Sequence, residues 1–261
     1  MGKALVVLSG GQDSVTCLFW ALREFEEVHA ITFDYNQRHR IEIDAAIKVA
    51  VMAGVASHEV VSLGPVLAGK SPLTNPNEEL EKYESHEQME EVIGDRRELT
   101  FVPMRNALFL TIAANRAEVL GCEAIVTGVC QMDNANYDDC REVFIDSMNE
   151  MIEFALGADH RGEAVGPVIV APLMDLTKAD TVRLARELPG CWEALAYSHT
   201  SYDGKYPPTD NNHSNVLRAQ GFLDAGFPDP LVIRAYDEGL MPLPDTPNYS
   251  AAKVLENGYR R

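Results

Sequence analysis

The residues from Met1 to Thr16 constrain this chain more than any other stretch. Ala4 to Leu8 is a short apolar run rich in Val and Leu, the length of one buried strand. Ser9-Gly10-Gly11-Gln12-Asp13-Ser14 follows at once, and Val15, Leu18, Phe19 and Leu22 then recur at helical spacing, so a helix begins near Asp13. A strand, a glycine turn and a helix N-terminus in succession make an anion site. The two glycines let backbone N–H groups turn toward an oxyanion, the helix dipole adds positive potential, and Ser9 and Ser14 add hydroxyl donors. No Gly-Lys-Ser/Thr follows, so this is not a Walker loop.

The same alternation continues down the chain. Val28–Phe33 and Glu59–Leu63 read as strands, and Ile41–Ala53 between them reads as a helix stopped by Gly54. Beyond residue 100 come a helix over Leu108–Leu120, a strand over Glu123–Gly128, a helix over Glu142–Leu156, a strand over Val168–Ala171 and a helix over Lys178–Leu188 capped by Thr177. Strands alternating with helices predict an α/β fold with a doubly wound parallel sheet, β1 central and ligands at the carboxyl ends of the strands. Residues 64–100 break the rhythm with Gly, Pro and a run of acidic residues, and read either as a lid or as a solvated loop. The expected division is a nucleotide-binding domain over 1–188 and a C-terminal segment over 189–261 with one helical stretch near Ser214–Gln220.

Net charge is 22 − 40 = −18, a surface that repels phosphate backbones, so no direct nucleic-acid partner is expected. A nucleotide must be held by a local cluster such as Gln37-Arg38-His39-Arg40. No apolar run reaches the roughly 18 residues of a membrane span, and no signal peptide is read, so a cytoplasmic protein is expected. The five cysteines show neither CxxC spacing nor a disulfide framework, which fits a reducing compartment.

Several polar residues fall where ligands of such a sheet bind. Lys178 opens a helix, the wrong end of the dipole for a surface cation. Arg105 and Asn106 open another, and Asp133, Asp138, Asp139 and Arg141 follow the strand ending near Gly128. Any one of these alone is an ordinary solvated charge. Together, on one rim, they outline a pocket for a polar heterocycle.

The Ser9–Ser14 hexapeptide after an N-terminal strand resembles the PP-loop of the ATP pyrophosphatases, which split ATP between its α- and β-phosphates. Further motifs follow in order: Phe33–His39 with Glu42, Phe101–Asn106, Thr127–Asp133, Tyr137–Arg141, and Pro172-Leu173 with Lys178-Ala179. Together they resemble the 7-cyano-7-deazaguanine synthases, the QueC family, from Lys3 to about Phe222. The resemblance implies ATP with Mg²⁺, 7-carboxy-7-deazaguanine and ammonia as reactants, and a nitrile product formed through an adenylate and an amide. It implies catalytic roles for Asp13, Ser14, Lys178 and Arg105, and nucleotide contacts from Ser9, Gly10, Gly11, Gln12, Asp13, Ser14 and Gly128. Substrate contacts fall to Gln37, Arg38, Asn106, Asp133, Asp138 and Arg141. A homodimer is also expected.

The departures are specific. The family has glycine where Asn36 and Met104 stand, and proline where Asp138 stands. It carries four zinc cysteines before its Leu-Arg-Ala motif, where this chain has Ser201, Thr209, Asn212 and Asn215. His199 and His213 alone make a poor structural site, so no zinc and no other metal site is expected. The altered tail and Met104 also open a second reading, an amide joined to a protein amine in an antiviral defence system. A third, a nucleotide-binding subunit without turnover, is opposed by the intact Ser9–Ser14, Arg105 and Lys178. Leu231–Tyr249 is expected to pack on a second copy or a protein acceptor, or else on the chain's own core.

Overall fold

Five parallel strands form one sheet, β1 (Lys3–Val7), β2 (Glu27–Asp34), β3 (Ser57–Ser62), β4 (Ala124–Val126) and β5 (Val168–Val170), in the order β3-β2-β1-β4-β5. The computed structural model that places them describes residues 2–132, 137–157 and 166–252. Val6 stands opposite Ala30 of β2 on one side and Val126 of β4 on the other. The sheet is therefore the expected doubly wound one, with β1 central and the strand order reversing beside it.

Period-two alternation divides each strand between two cores. Ala4, Val6 and Leu8 face one layer, where they pack with α1 (Gln12–Glu24), α2 (Ile41–Ala53) and α6 (Lys178–Glu187). Leu5, Ile31, Phe33, Ile125 and Ile169 face the other, against α4 (Arg105–Leu120) and α5 (Glu142–Ala155). The middles of β1, β2 and β4 are buried on both faces, as the inner strands of a parallel sheet are, whereas the edge strand β3 is largely exposed. None of the described helices is long and apolar enough to cross a membrane.

The excursion over 64–100, expected as a lid or a solvated loop, carries a helix and a small core of its own. Ser85 caps α3 (His86–Ile93) by accepting from the Gln88 N–H, and Tyr83, Met89 and Ile93 form a small core with Val216 and Leu217. Its acidic residues mask a buried face only three side chains wide.

The tail also holds more structure than the sequence suggested. The helix near Ser214–Gln220 extends over His213–Ala225 as α8, preceded by α7 (Cys191–Leu195) and followed by α9 (Pro230–Asp237). Cys191, Ala194, Leu195 and Phe222 belong to the same core as β1 and α1. Leu231, Ala235 and Tyr249 are buried within the chain, which supports the own-core reading of the extension for these residues. The join is ionic as well. Arg218 Nε and Nη2 donate to the two Asp229 oxygens at 2.6 and 2.8 Å, with both side chains buried, and Asp229 in turn caps α9.

Candidate active site

A cleft opens at the carboxyl ends of β1, β2 and β4, where the strand order reverses. Open parallel sheets bind ligands at this point. One wall is the loop Ser9–Ser14. Gly11 caps α1 without a side-chain hydrogen bond, so the first N–H groups of a 13-residue helix are left to the loop and to a ligand. Ser14 Oγ accepts from the Ser9 and Gly10 N–H groups at 3.2 Å each, and lies 3.0 Å from Ser9 Oγ. Two hydroxyls and two amides thus converge within a single turn. Gly128 lets the end of β4 reach this turn, since a Cβ there would lie 3.1 Å from the Asp13 carbonyl carbon and the Ser14 nitrogen.

Lys178 comes from the first turn of α6. Its Nζ donates to both Asp13 oxygens, at 3.0 and 2.9 Å, while its stem is buried. Gly221 of α8 makes room for that stem, for a Cβ there would stand 2.3 Å from Lys178 Cγ. The sequence points to Lys178 but not to Gly221, because a close approach between two helices leaves no local mark.

The opposite wall is aromatic and cationic. Phe33 and Phe109 stack with centroids 4.3 Å apart, and Tyr35, Tyr137 and Tyr202 extend the surface. Arg105 stands among these phenols at the start of α4. Burial alone would depress its guanidinium, but the negative charge that Tyr35, Tyr202 and Asp139 present when ionised outweighs that and raises it above its usual range. Burial pushes the Tyr35 phenol up to about 12, and the Tyr137 phenol is raised well above its usual value for the same reason. The wall is thus an arginine cation surrounded by neutral phenols. Asn106, also on the cleft, donates to the Asp139 carbonyl at 3.1 Å.

Asn36 and Met104, where the resemblance led us to expect glycine, are the two non-glycine residues with positive φ among the described residues, both at 64°. The backbone keeps the left-handed turn and the side chain is carried at a cost in strain. Met104 is 69% exposed and does not line the cleft, which removes the reason it offered for a changed acceptor.

The structure places the remaining expected residues as follows. Ser9, Gly11, Gln12, Asp13, Ser14, Arg105, Asn106, Gly128 and Lys178 line the cleft, with Gly10 inside the loop. Gln37 lies behind it, buried, where its amide binds the Tyr35 N–H, the Phe33 carbonyl and Glu42. Arg38 donates to the Pro76 and Glu78 carbonyls and so anchors the 64–100 excursion. Asp138 pairs with Arg97 and, at 3.5 Å, with Arg141 on the outer rim. Asp133 lies outside the described residues. Of the cluster Gln37–Arg40 expected to hold a nucleotide, His39 lines the cleft, as do Phe109, Tyr202 and Arg218, to which the sequence assigned no role at the site. His199 and His213 are also on the cleft. Burial depresses both imidazoles, that of His213 to about 4 with a further contribution from Lys178. His199 Nε2 lies 3.0 Å from the Ser201 carbonyl, whereas His213 Nδ1 is buried without a hydrogen-bond partner among the described residues.

A family model described as "Queuosine biosynthesis protein QueC" matches residues 3–226. A 7-cyano-7-deazaguanine synthase of Gloeobacter violaceus is 49% identical over 88% of this chain and 96% of its own length. Proteins of the same name from Chromobacterium violaceum and Laribacter hongkongensis are 47% and 46% identical, over 90% and 88% of this chain and 95% and 94% of theirs.

Proposed function

This chain belongs to the QueC family of queuosine biosynthesis proteins, and on that premise we propose that it makes 7-cyano-7-deazaguanine from 7-carboxy-7-deazaguanine, ammonia and two molecules of ATP. The carboxylate oxygen attacks the α-phosphorus of ATP and pyrophosphate leaves. Ammonia attacks the carbonyl carbon of the adenylate, loses a proton, and AMP leaves to give the amide. The amide oxygen attacks the α-phosphorus of a second ATP and a second pyrophosphate leaves. Breaking its C–O bond, with loss of both nitrogen protons, releases AMP and the nitrile.

The observation that carries this reading is the pair of cationic ends of the cleft. Both reactants are anions, so their approach is electrostatically opposed in water. Here the α1 N-terminus and Lys178 face one, and Arg105 with the α4 N-terminus faces the other. Lys178 is shared with Asp13 and neutralises charge on the oxygens around the α-phosphorus. Arg105 takes the substrate carboxylate. The phenols around it exclude water, and the aromatic wall with Asn106 receives the flat heterocycle.

Mg²⁺ accompanies ATP, and the donor set fits it. Mg²⁺ needs one or two carboxylates beside substrate phosphates, and Asp13 is a carboxylate at the phosphate end. When bound, the ion would neutralise phosphate charge. The family's zinc is not fitted by Ser201, Thr209, Asn212 and Asn215, which offer no thiolate. All five cysteines are buried thiols, consistent with a reducing cytoplasm. A homodimer remains part of the proposal. The protein-amine reading draws no support from relatives named as synthases.

The test is incubation with ATP, ammonium and 7-carboxy-7-deazaguanine, followed by mass spectrometry. The nitrile with AMP and pyrophosphate is expected. ADP and phosphate, or an amide that is never dehydrated, would overturn the assignment.

A further inference from the structure

Ser201 is fully buried one residue from two cleft residues, Thr200 and Tyr202, and does not itself reach the cleft. Its hydroxyl joins its own loop to the start of α8. Asn212 Nδ2 donates to Ser201 Oγ at 3.1 Å and Asn215 Nδ2 at 2.8 Å, while Ser201 Oγ donates to Asp203 Oδ1 at 2.7 Å. We propose that this hydroxyl is the hub of a closed, metal-free clamp, and that Ser201, Asn212 and Asn215 are positioning residues for the Thr200–Tyr202 wall of the cleft.

Hydrogen-bond valence carries the argument. A serine hydroxyl has one proton and two lone pairs. Ser201 spends the proton on Asp203 and both lone pairs on amides, so its oxygen has nothing left for a cation. The amide orientations follow from the same network. Asn215 Nδ2 also donates to the Asp210 carbonyl at 2.7 Å, which an oxygen there could not do. Asn212 Oδ1 faces the Ser214 hydroxyl at 2.7 Å and caps α8 through the Asn215 N–H at 3.3 Å, so its nitrogen must face Ser201. Nitrogens that donate protons repel a metal ion from the point on which they converge.

The clamp reaches the cleft along the backbone. Ser214 Oγ lies 2.8 Å from the Thr200 carbonyl, and His199 Nε2 is 3.0 Å from the Ser201 carbonyl. The His199 N–H donates to the Gly10 carbonyl at 2.8 Å, linking the same strip of chain to the phosphate loop. On its other side Thr200 Oγ1 accepts from Arg218. Thr200 and Tyr202 are therefore held from both ends, with Ser201 between them.

The effect on catalysis rests on the reaction proposed above; the absence of a metal does not. The experiment uses the full chain, expressed with added zinc, as wild type and as Ser201→Ala, Ser201→Thr and Asn215→Asp. Elemental analysis of the wild type should find well under one zinc per chain. AMP formation should show KM for 7-carboxy-7-deazaguanine raised about tenfold in Ser201→Ala with kcat little changed, as expected where a binding wall loosens by one buried hydrogen-bond hub. Ser201→Thr, which keeps the hydroxyl, should stay near the wild type. Asn215→Asp keeps the shape and removes the donors, and serves if Ser201→Ala does not fold. Unchanged KM in a folded Ser201→Ala or Asn215→Asp would overturn the proposal, as would about one zinc per wild-type chain. If the wild type made no AMP, the reaction would fall instead, and zinc content with calorimetric binding of the heterocyclic acid would decide the clamp.

Discussion

Lys178 Nζ lies 2.9 Å from one carboxylate oxygen of Asp13 and 3.0 Å from the other, joining the first turns of α6 and α1 across 165 positions of chain. The pair holds a cation at the mouth of the phosphate loop before any nucleotide enters. Lys178→Met keeps most of the buried stem and removes only the charge. Steady-state turnover should fall about 10²–10³-fold, the usual loss for one transition-state electrostatic partner, with an unchanged circular dichroism melt. A variant turning over at the wild-type rate would remove Lys178 from the mechanism.

Met104 should be the cheapest place to stabilise the chain. It holds a left-handed conformation at φ 64° with its side chain 69% exposed, so little packing is at stake. Relief of strain outweighs the extra freedom of an unfolded glycine, and Met104→Gly should gain roughly 0.5–1 kcal/mol in chemical denaturation. Met104→Ala keeps the Cβ and should gain nothing. Equal effects of the two would show that the strain is not in the backbone.

The tail should prove inseparable from the fold. Arg218 and Asp229 are 3% and 5% exposed, and removing one partner leaves a buried charge uncompensated. Asp229→Ala should cost about 3–5 kcal/mol, and truncation after Phe222, which removes Asp229, Leu231 and Tyr249 together, should leave an insoluble product. A soluble, ATP-binding truncation would revive the view of this segment as an interface.

Stability should depend on pH through His213. Its folded value is about 4 against an ordinary 6.5, because burial and Lys178 oppose the charged ring. Between those values the unfolded chain binds a proton that the native chain does not, so stability falls as pH drops through that window. Full displacement corresponds to about 3 kcal/mol at most. Urea denaturation at about pH 7 and about pH 5 should show a smaller loss in His213→Gln than in the wild type. Parallel losses would place the effect elsewhere.

The two ends of the cleft were legible for different reasons. Ser9–Ser14 lies within one strand–turn–helix unit, so its chemistry and geometry are both written locally. Strand and helix periods likewise determined the parallel sheet and the central place of β1. Asp138 and Arg141 show the limit, since nothing local tells a rim ion pair from a ligand contact, and only the fold brought Arg97 to Asp138. Arg38 similarly has a cation's sequence and an anchor's position.

What the sequence by itself determined was the order of elements, the phosphate loop, the cationic residues at helix starts and a tail with no cysteine beyond Cys191. Tertiary structure alone decided which distant side chains meet: Lys178 with Asp13, Arg105 with three phenols, and Ser201 with Asn212 and Asn215. The physical reason is range. Backbone period and turn chemistry act over a few residues, whereas the partner of a buried polar group is settled by the packing of whole helices, at positions such as Gly221 whose role is only to leave space.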